Sequence, residues 1–216
     1  IQDYGKKKFY FSDKKIILDS IKLKNKSLAK NLKLNIIKEQ SNNNSLKNLS
    51  IKNISIDTKT LKRNDVFFAI KGKKLNGNDF VSEAFKKGAS LAVVNKLNFK
   101  NSSLRQIKVK NSLNFLTNCS KIYRKNLFTK IIAITGSCGK TTLKEMLGSS
   151  LNKISKTTYS PKSFNNKYGV PLSILNIKQS DKFGVLEVGM DKKGEIDNLS
   201  KIVKPELAII TNISGA

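Results

Sequence analysis

The chain has 216 residues, 38% of them hydrophobic and 26% charged, which is the composition of a soluble globular protein with one or two cores. Its formal net charge is +27. The sequence has no His, so catalysis by a histidine base within this chain is excluded. Two cysteines provide neither a disulfide framework nor a metal-ligand spacing, so a reducing cytoplasm is expected. There is no apolar run long enough for a membrane span and no secretory leader pattern, so membrane insertion is not expected.

The first half of the chain is predicted to form a small α/β unit. Residues 1–27 alternate Lys with aromatic and apolar residues, and whether they form a strand pair or a loose extension is left open. The elements predicted next are a helix over 27–39, a polar loop over 40–44, strand-like residues over 51–56, a strand over 66–70, a helix over 80–87 ending at Gly88, a strand over 91–94, a strand candidate at Val109, and a helix over 113–124 capped by Ser112. Residues 126–130 are typical of a linker.

The second half alternates strands with helices. The predicted elements are a strand over 131–135, a helix over 141–152, a polar segment with Pro161, a helix near 168–176, a strand over 183–188, a helix over about 194–203 and a strand over 207–211. Such alternation predicts a parallel sheet with right-handed crossovers, and ligands of these sheets bind at the loops after the strands.

The most informative segment is the loop Thr135-Gly136-Ser137-Cys138-Gly139-Lys140-Thr141-Thr142. Its glycines let the backbone turn so that successive N–H groups point at an anion. Lys140 supplies a positive charge, and Thr141 supplies a hydroxyl that can ligate Mg²⁺. The usual pattern has a further glycine where this chain has Ile134, so this is a shorter form of the phosphate-binding loop.

Two more features follow the neighbouring strands. Glu187 ends an apolar strand beside the loop, where its carboxylate could ligate Mg²⁺ directly or through water. The alternative is a strand-end residue that faces solvent. Asn165 and Asn166 could contact a polar ligand or cap the next helix, and the sequence alone favours the cap.

Polar loops in the first half give a weaker signal. They are Asp57-Thr58-Lys59, Lys71-Gly72 and Asn76-Gly77-Asn78. Each could bind an anion or form an ordinary turn, and the residue types alone favour turns.

The order and spacing of these motifs resemble the Mur ligases over residues 50–216. In the second half the resemblance is carried by residues 135–142, by Asn165-Asn166 before Gly169-Val170-Pro171-Leu172, and by Leu186-Glu187-Val188-Gly189-Met190 before Gly194-Glu195-Ile196. In the first half, residues 55–59 and 65–72 resemble the family's N-terminal uridine-diphosphate-binding domain. Within the family, the Glu-Val-Gly-Met and Gly-Glu-Ile segments are similar to the branch that joins D-alanyl-D-alanine to UDP-N-acetylmuramoyl-tripeptide.

The resemblance implies ATP-dependent amide-bond formation through an acyl phosphate, with ATP and Mg²⁺. It implies that Lys140 and Glu187 are catalytic, that Thr141 and Glu187 ligate the metal, and that residues 136–142 bind ATP. The implied ATP-binding residues are Gly136, Ser137, Cys138, Gly139, Lys140, Thr141 and Thr142. The implied substrate-binding residues are Asp57, Thr58, Lys59, Lys71, Gly72, Gly77, Asn78, Asn165 and Asn166. Lys59 stands where the family commonly has Arg, and Asn78 where it commonly has His.

The expected fold class is α/β, with a small N-terminal UDP-binding domain followed by an incomplete phosphate-loop ATPase domain with a parallel sheet. The expected divisions are an extension of unknown role over 1–27, the UDP-substrate domain over 28–128 and the ATP-binding domain over 129–216. The family's metal-binding His, modified lysine and C-terminal domain would follow residue 216. The chain also has no initiator Met and is expected to be a fragment. Because those residues are not in it, the fragment is not expected to ligate on its own. It is expected to be a monomer.

The sequence alone leaves several other functions open. One is a sister ligase, either diamino-acid-adding or folylpolyglutamate synthetase-like. Another is a basic phosphate-loop protein that binds nucleic acid, and a third is a non-catalytic binding module. The lysines are spread along the chain with Asn and Ile, as an AT-rich coding sequence produces, and only three arginines occur (Arg63, Arg105 and Arg124). Since dedicated nucleic-acid readers use Arg for bidentate contacts, no specific nucleic-acid partner is expected.

Overall fold

The chain folds into two four-stranded parallel sheets, as seen in a computed structural model that describes residues 32–41, 49, 51–97, 105–161 and 163–213. The described residues from Lys33 onward belong to one compact unit. The predicted α/β class with parallel sheets is confirmed. The extension over 1–27 lies outside the described residues, and the predicted domain boundaries stay a prediction. Within the described ranges, no helix is long and apolar enough to cross a membrane.

The first sheet has the strand order β1-β2-β3-β4, and every neighbouring pair is parallel. Its strands are β1 (Ile54–Ser55), β2 (Val66–Phe68), β3 (Leu91–Val94) and β4 (Gln106–Lys108). The helices of this half are α1 (Leu32–Ser41), α2 (Val81–Lys86), which follows a 3-10 turn at Gly77–Phe80, and α3 (Ser112–Lys125). All residues of β2 and β3 are buried, as expected for parallel strands that are covered on both faces.

The second sheet has the order β6-β7-β5-β8, again with parallel pairs. Its strands are β5 (Lys130–Thr135), β6 (Thr157–Tyr159), β7 (Phe183–Glu187) and β8 (Leu207–Ile210). Its helices are α4 (Lys140–Ile154), α5 (Gly169–Asn176) and α6 (Glu195–Val203). Because β5 lies between β7 and β8, the loops that follow these three strands meet at one edge of the sheet.

Polar contacts, two of them buried, join α3 and β1 to the second half of the chain. The hydroxyl of Tyr123 donates to the Ile177 carbonyl at 2.7 Å, and burial raises the pKa of Tyr123 to about 12. Arg124 Nε donates to the Val203 carbonyl, at the end of α6, at 2.7 Å. The Asn176 side chain accepts from the Ile54 N–H at 3.0 Å and donates to its carbonyl at 3.1 Å. This amide therefore bonds to the backbone of β1 as a neighbouring strand would.

Two predictions about local structure were wrong. The N-cap of α3 is Asn111 rather than Ser112, because the Asn111 side chain accepts from the Asn114 N–H at 2.9 Å. Ser112 is the first helical residue, and its hydroxyl donates to the Asn95 side chain at 2.8 Å. The strand β6 was missed because its sequence, Thr-Thr-Tyr, lies in a polar segment and is recognisable only by its pairing with β7.

Other boundaries shift by a few residues. Helix α1 runs to Ser41 and so includes the start of the predicted loop over 40–44, whereas residues 27–31 and 42–44 lie outside the described residues. Strand β4 ends directly before the candidate Val109. The predicted linker over 126–130 is packed rather than free: Leu127 and Thr129 are buried, and Lys130 begins β5.

Candidate functional site

The phosphate loop connects β5 to α4 at the C-terminal edge of the second sheet. Its glycines have φ angles of +132° at Gly136 and +78° at Gly139, in the region that favours glycine. Gly139 is the N-cap of α4, a helix of 15 residues, and it offers no side chain to cap the first N–H groups. Those groups and the helix dipole therefore favour an anion at this position.

Lys140 begins α4 and folds its side chain back over the loop. Its ammonium donates to the carbonyls of Gly136 at 2.5 Å and Ser137 at 3.1 Å. Both acceptors are neutral, and the side chain is partly exposed. Because a charged acceptor forms a stronger hydrogen bond with an ammonium, an anionic ligand could replace these carbonyls.

Glu187 ends β7 and has only 1% of its surface exposed. One carboxylate oxygen accepts from Thr141 Oγ1 at 2.8 Å, and the other accepts from Asn165 Nδ2 at 2.8 Å. The alternative in which Glu187 faces solvent is therefore wrong. The hydroxyl of Thr141 and the carboxylate of Glu187 thus place two adjacent oxygen atoms, both able to ligate a metal ion, at the start of α4.

The two adjacent asparagines have different partners. Asn166 Oδ1 accepts from the N–H groups of Tyr168 at 3.0 Å and Gly169 at 3.1 Å, and so caps the start of α5. Asn165 bonds instead to Glu187, while its carbonyl accepts from the Gly189 N–H at 2.7 Å. Only Asn166 takes the capping role that the sequence favoured, because Asn165 is held against the end of β7.

The loop also has partners that the sequence reasoning missed. Thr211 and Asn212 directly follow β8, which is the other neighbour of β5. Thr211 Oγ1 donates to the Cys138 carbonyl at 2.5 Å, and Asn212 Oδ1 accepts from the Cys138 N–H at 2.9 Å. The available signal was the position of two polar residues at the end of a strand in the same sheet.

The predicted substrate residues after β1 have partners within the first half of the chain. Asp57 Oδ1 accepts from the Lys59 N–H at 2.9 Å. The carbonyl of Thr58 accepts from Lys87 Nζ at 2.9 Å. The Asp57 contact belongs to a turn after β1, as the residue types favoured, whereas the Lys87 contact links that turn to the residue that follows α2.

Lys71 and Asn78 line a cavity of about 580 Å³ beyond the ends of β2 and β3. Asn78 Oδ1 accepts from the Asn95 N–H at 3.1 Å, which fixes one wall. Gly77 packs so closely on the backbone of Ile70, another lining residue, that a β-carbon would lie 2.5 Å from its nitrogen. The further polar lining residues are Asn76, Asp79, Lys96, Lys110, Asn111 and Ser112. Ammonium and amide groups at the ends of parallel strands suit a polar, anionic ligand.

A second cleft, of about 370 Å³, has walls from both halves of the chain. Its lining residues are Gly72 and Lys73 from the first half and Asn166, Lys167, Tyr168, Asp191, Lys192 and Glu195 from the second. Backbone N–H groups of Asp191 and Lys192 donate to Glu195 and lower the pKa of its carboxyl. Two residues predicted to bind substrate, Gly72 and Asn166, are thus brought to one cleft.

Two family models match this chain. "Mur ligase family, catalytic domain" matches residues 50–124, and "Mur ligase middle domain" matches residues 134–216. A relative from Buchnera aphidicola subsp. Baizongia pistaciae, named UDP-N-acetylmuramoyl-tripeptide–D-alanyl-D-alanine ligase, is 36% identical, and the match covers 80% of this chain and 38% of the relative.

Solved structures give the same result. MurF from Acinetobacter baumannii has a TM-score of 0.73 and 32% identity, covering 84% of this chain and 40% of that one. MurF from Thermotoga maritima in complex with ADP has a TM-score of 0.64 and 32% identity, covering 79% and 40%. The chain therefore spans about two fifths of the length of these relatives.

Proposed function

Because this chain belongs to the Mur ligase family, we propose that the protein is an ATP-dependent ligase that joins D-alanyl-D-alanine to UDP-N-acetylmuramoyl-tripeptide, a peptidoglycan precursor. The observation that carries the proposal is the phosphate loop whose Thr141 bonds to the buried Glu187, in a fold shared with ligases of that name. The likeness extends over both halves of the chain, so it does not depend on a nucleotide motif alone.

We assign the ATP phosphates to residues 136–142. The open N-terminus of α4 and the ammonium of Lys140 support this assignment, because both favour negative charge. The ADP complex of the T. maritima neighbour supports a nucleotide in this family's site. Lys140 would interact with the β- and γ-phosphates.

Thr141 and Glu187 would hold Mg²⁺. Their oxygens are hard donors that lie 2.8 Å apart, and Mg²⁺ commonly takes its other ligands from water and substrate phosphates. When bound, the ion would supply positive charge to the phosphate oxygens.

The proposed reaction has two steps. A carboxylate oxygen of the tripeptide attacks the γ-phosphorus of ATP, and the bond to ADP breaks to leave an acyl phosphate. The amine of D-alanyl-D-alanine then attacks the acyl carbon, phosphate departs, and the amine proton is released to it or to water. Lys140 and the first N–H groups of α4 would stabilise charge on the transferred phosphoryl group, which is the main demand of phosphoryl transfer.

We place the UDP moiety in the cavity lined by Lys71 and Asn78, with Gly77 supporting its wall. The cleft that contains Gly72 and Asn166 would lead the peptide toward the phosphate loop, since Asn165 lies next to Asn166 and contacts Glu187. Further substrate contacts are proposed for Asp57, Thr58 and Lys59, which follow the neighbouring strand β1. We further propose a cytoplasmic monomer without a nucleic-acid partner.

The test is a ligation assay on the gene product that contains this chain. ATP and Mg²⁺ are supplied with one of three substrate pairs: UDP-N-acetylmuramoyl-tripeptide with D-alanyl-D-alanine, the UDP-N-acetylmuramoyl-dipeptide with a diamino acid, or a folate with glutamate. The products are followed by mass spectrometry. We expect a product only with D-alanyl-D-alanine. Product with the diamino acid and the dipeptide precursor, or with a folate and glutamate, would support a sister ligase and refute this assignment. DNA binding that survives competitor in about 0.2 M salt would support the nucleic-acid alternative.

A further inference from the structure

The segment after β8 holds the phosphate loop in shape, and we propose that Thr211 and Asn212 are positioning residues for ATP binding. The proposal rests on the proposed role of this loop as the ATP phosphate site. Neither residue belongs to the loop, since about 70 residues of chain separate them from it. They reach it because the parallel pairing of β5 with β8 sets Thr135 opposite Ile210.

Asn212 accepts hydrogen bonds from two N–H groups of the loop. Its backbone carbonyl accepts from the Ser137 N–H at 3.0 Å, and its side-chain Oδ1 accepts from the Cys138 N–H at 2.9 Å. These two groups thus have protein acceptors. A backbone N–H that already donates has little left for an anion. Within residues 136–142, the direct phosphate contacts therefore narrow to the N–H groups from Gly139 to Thr142 and to the Lys140 ammonium.

Thr211 fixes the loop from the carbonyl side. Its Oγ1 lies 2.5 Å from the Cys138 carbonyl and 3.2 Å from the Thr135 carbonyl. Its backbone N–H donates to the Thr135 carbonyl at 2.9 Å. The Cys138 carbonyl is therefore held against the segment that follows β8.

Gly136 shows how closely the two segments fit. A β-carbon at this position would overlap Thr211 Oγ1 and would lie 2.9 Å from the Asn212 carbonyl oxygen. The glycine is therefore required by the contact with Thr211 as well as by its φ angle of +132°. Asn212 is also uncharged, so it can accept from the loop without placing a negative charge beside the phosphates.

The test measures ADP binding by calorimetry on the gene product that contains this chain, with variants Thr211→Val, Thr211→Ser and Asn212→Ala. Valine keeps the shape of threonine but removes the hydroxyl, and we expect ADP binding about tenfold weaker for Thr211→Val and for Asn212→Ala. Serine keeps the hydroxyl, so Thr211→Ser should recover most of the affinity. The matched control is Asn198→Ala, an exposed asparagine on α6, which should bind ADP as the parent does.

In Thr211→Val and Asn212→Ala, the KM for ATP should rise, while the KM for the UDP-linked peptide should stay within about twofold of the parent value. General unfolding would not raise one KM and leave the other unchanged. Parent-like ADP affinity in both Thr211→Val and Asn212→Ala, or equal losses in Thr211→Val and Thr211→Ser, would overturn the inference. A parent that fails to ligate D-alanyl-D-alanine while Thr211→Val still weakens ADP would refute the proposed function and leave the inference standing.

Discussion

Replacing Glu187 by Gln would separate the charge of this buried residue from its packing. The carboxylate is 1% exposed and accepts from Thr141 Oγ1 and Asn165 Nδ2, both at 2.8 Å. A glutamine keeps one oxygen for Asn165 and offers an N–H to the Thr141 oxygen, whose hydroxyl hydrogen can rotate away. Since both hydrogen bonds persist, the free energy of unfolding should change by less than about 1 kcal/mol. The proposed Mg²⁺ ligand loses its charge, so kcat/KM should fall roughly 100-fold or more.

The assay combines urea unfolding without nucleotide and phosphate release over a range of Mg²⁺ concentrations. Glu187→Ala is the contrasting variant, because it leaves Asn165 Nδ2 without its acceptor and should cost about 2–3 kcal/mol of stability. Glu39→Gln, at an exposed position on α1, should change neither measurement. A Glu187→Gln protein that keeps the parent's kcat/KM and Mg²⁺ dependence would refute the assignment of this carboxylate.

Three further predictions concern the helix after the phosphate loop and two packed tyrosines. Lys140→Met should weaken ADP binding about tenfold or more in calorimetry while leaving urea unfolding unchanged, because a partly exposed ammonium is lost from the anion site. Burial raises the pKa of Tyr123 from 10.0 to about 12. The buried neutral phenol therefore contributes its full share to the stability of the fold below pH 10, and this share is lost as the pH rises from 10 to 12. Between about pH 9 and about pH 11, urea titrations should show the parent losing roughly 1 kcal/mol more stability than Tyr123→Phe; equal losses would contradict this. Gly148→Ala would place a β-carbon 2.5 Å from the Tyr159 ring. It should destabilise the fold by about 1–3 kcal/mol in urea, whereas the exposed Ser149→Ala on the same helix should not.

The parts of the site that the sequence predicted are those fixed by local chemistry. A phosphate loop needs glycines where φ is positive and a lysine at the helix start, so Gly136, Gly139 and Lys140 could be recognised from their spacing. Glu187 could be recognised because a carboxylate at the end of an apolar strand in a parallel sheet falls at the ligand-binding edge. The alternation of strands and helices likewise predicted the α/β class.

The parts that the sequence did not predict depend on contacts between distant segments. Asn111 and Ser112 are both good N-cap residues, and only the hydrogen bond from Asn114 decides between them. Asn165 and Asn166 are adjacent and chemically identical, yet one caps α5 and the other bonds to Glu187. Asn212 contacts the loop across 74 residues of chain, and no local pattern encodes that distance.

Strand order explains why one edge of the second sheet gathers these groups. With β5 between β7 and β8, the loop that follows Thr135 is flanked by Glu187 on one side and Thr211 on the other. The register sets Ile134 opposite Glu187, and a slip of one residue would turn the carboxylate to the opposite face of the sheet, away from Thr141. The proposed metal pair and the loop-holding segment therefore both depend on the pairing of the same central strand. A substitution that disturbs β5 should impair both together, even though the groups themselves lie on three different strands.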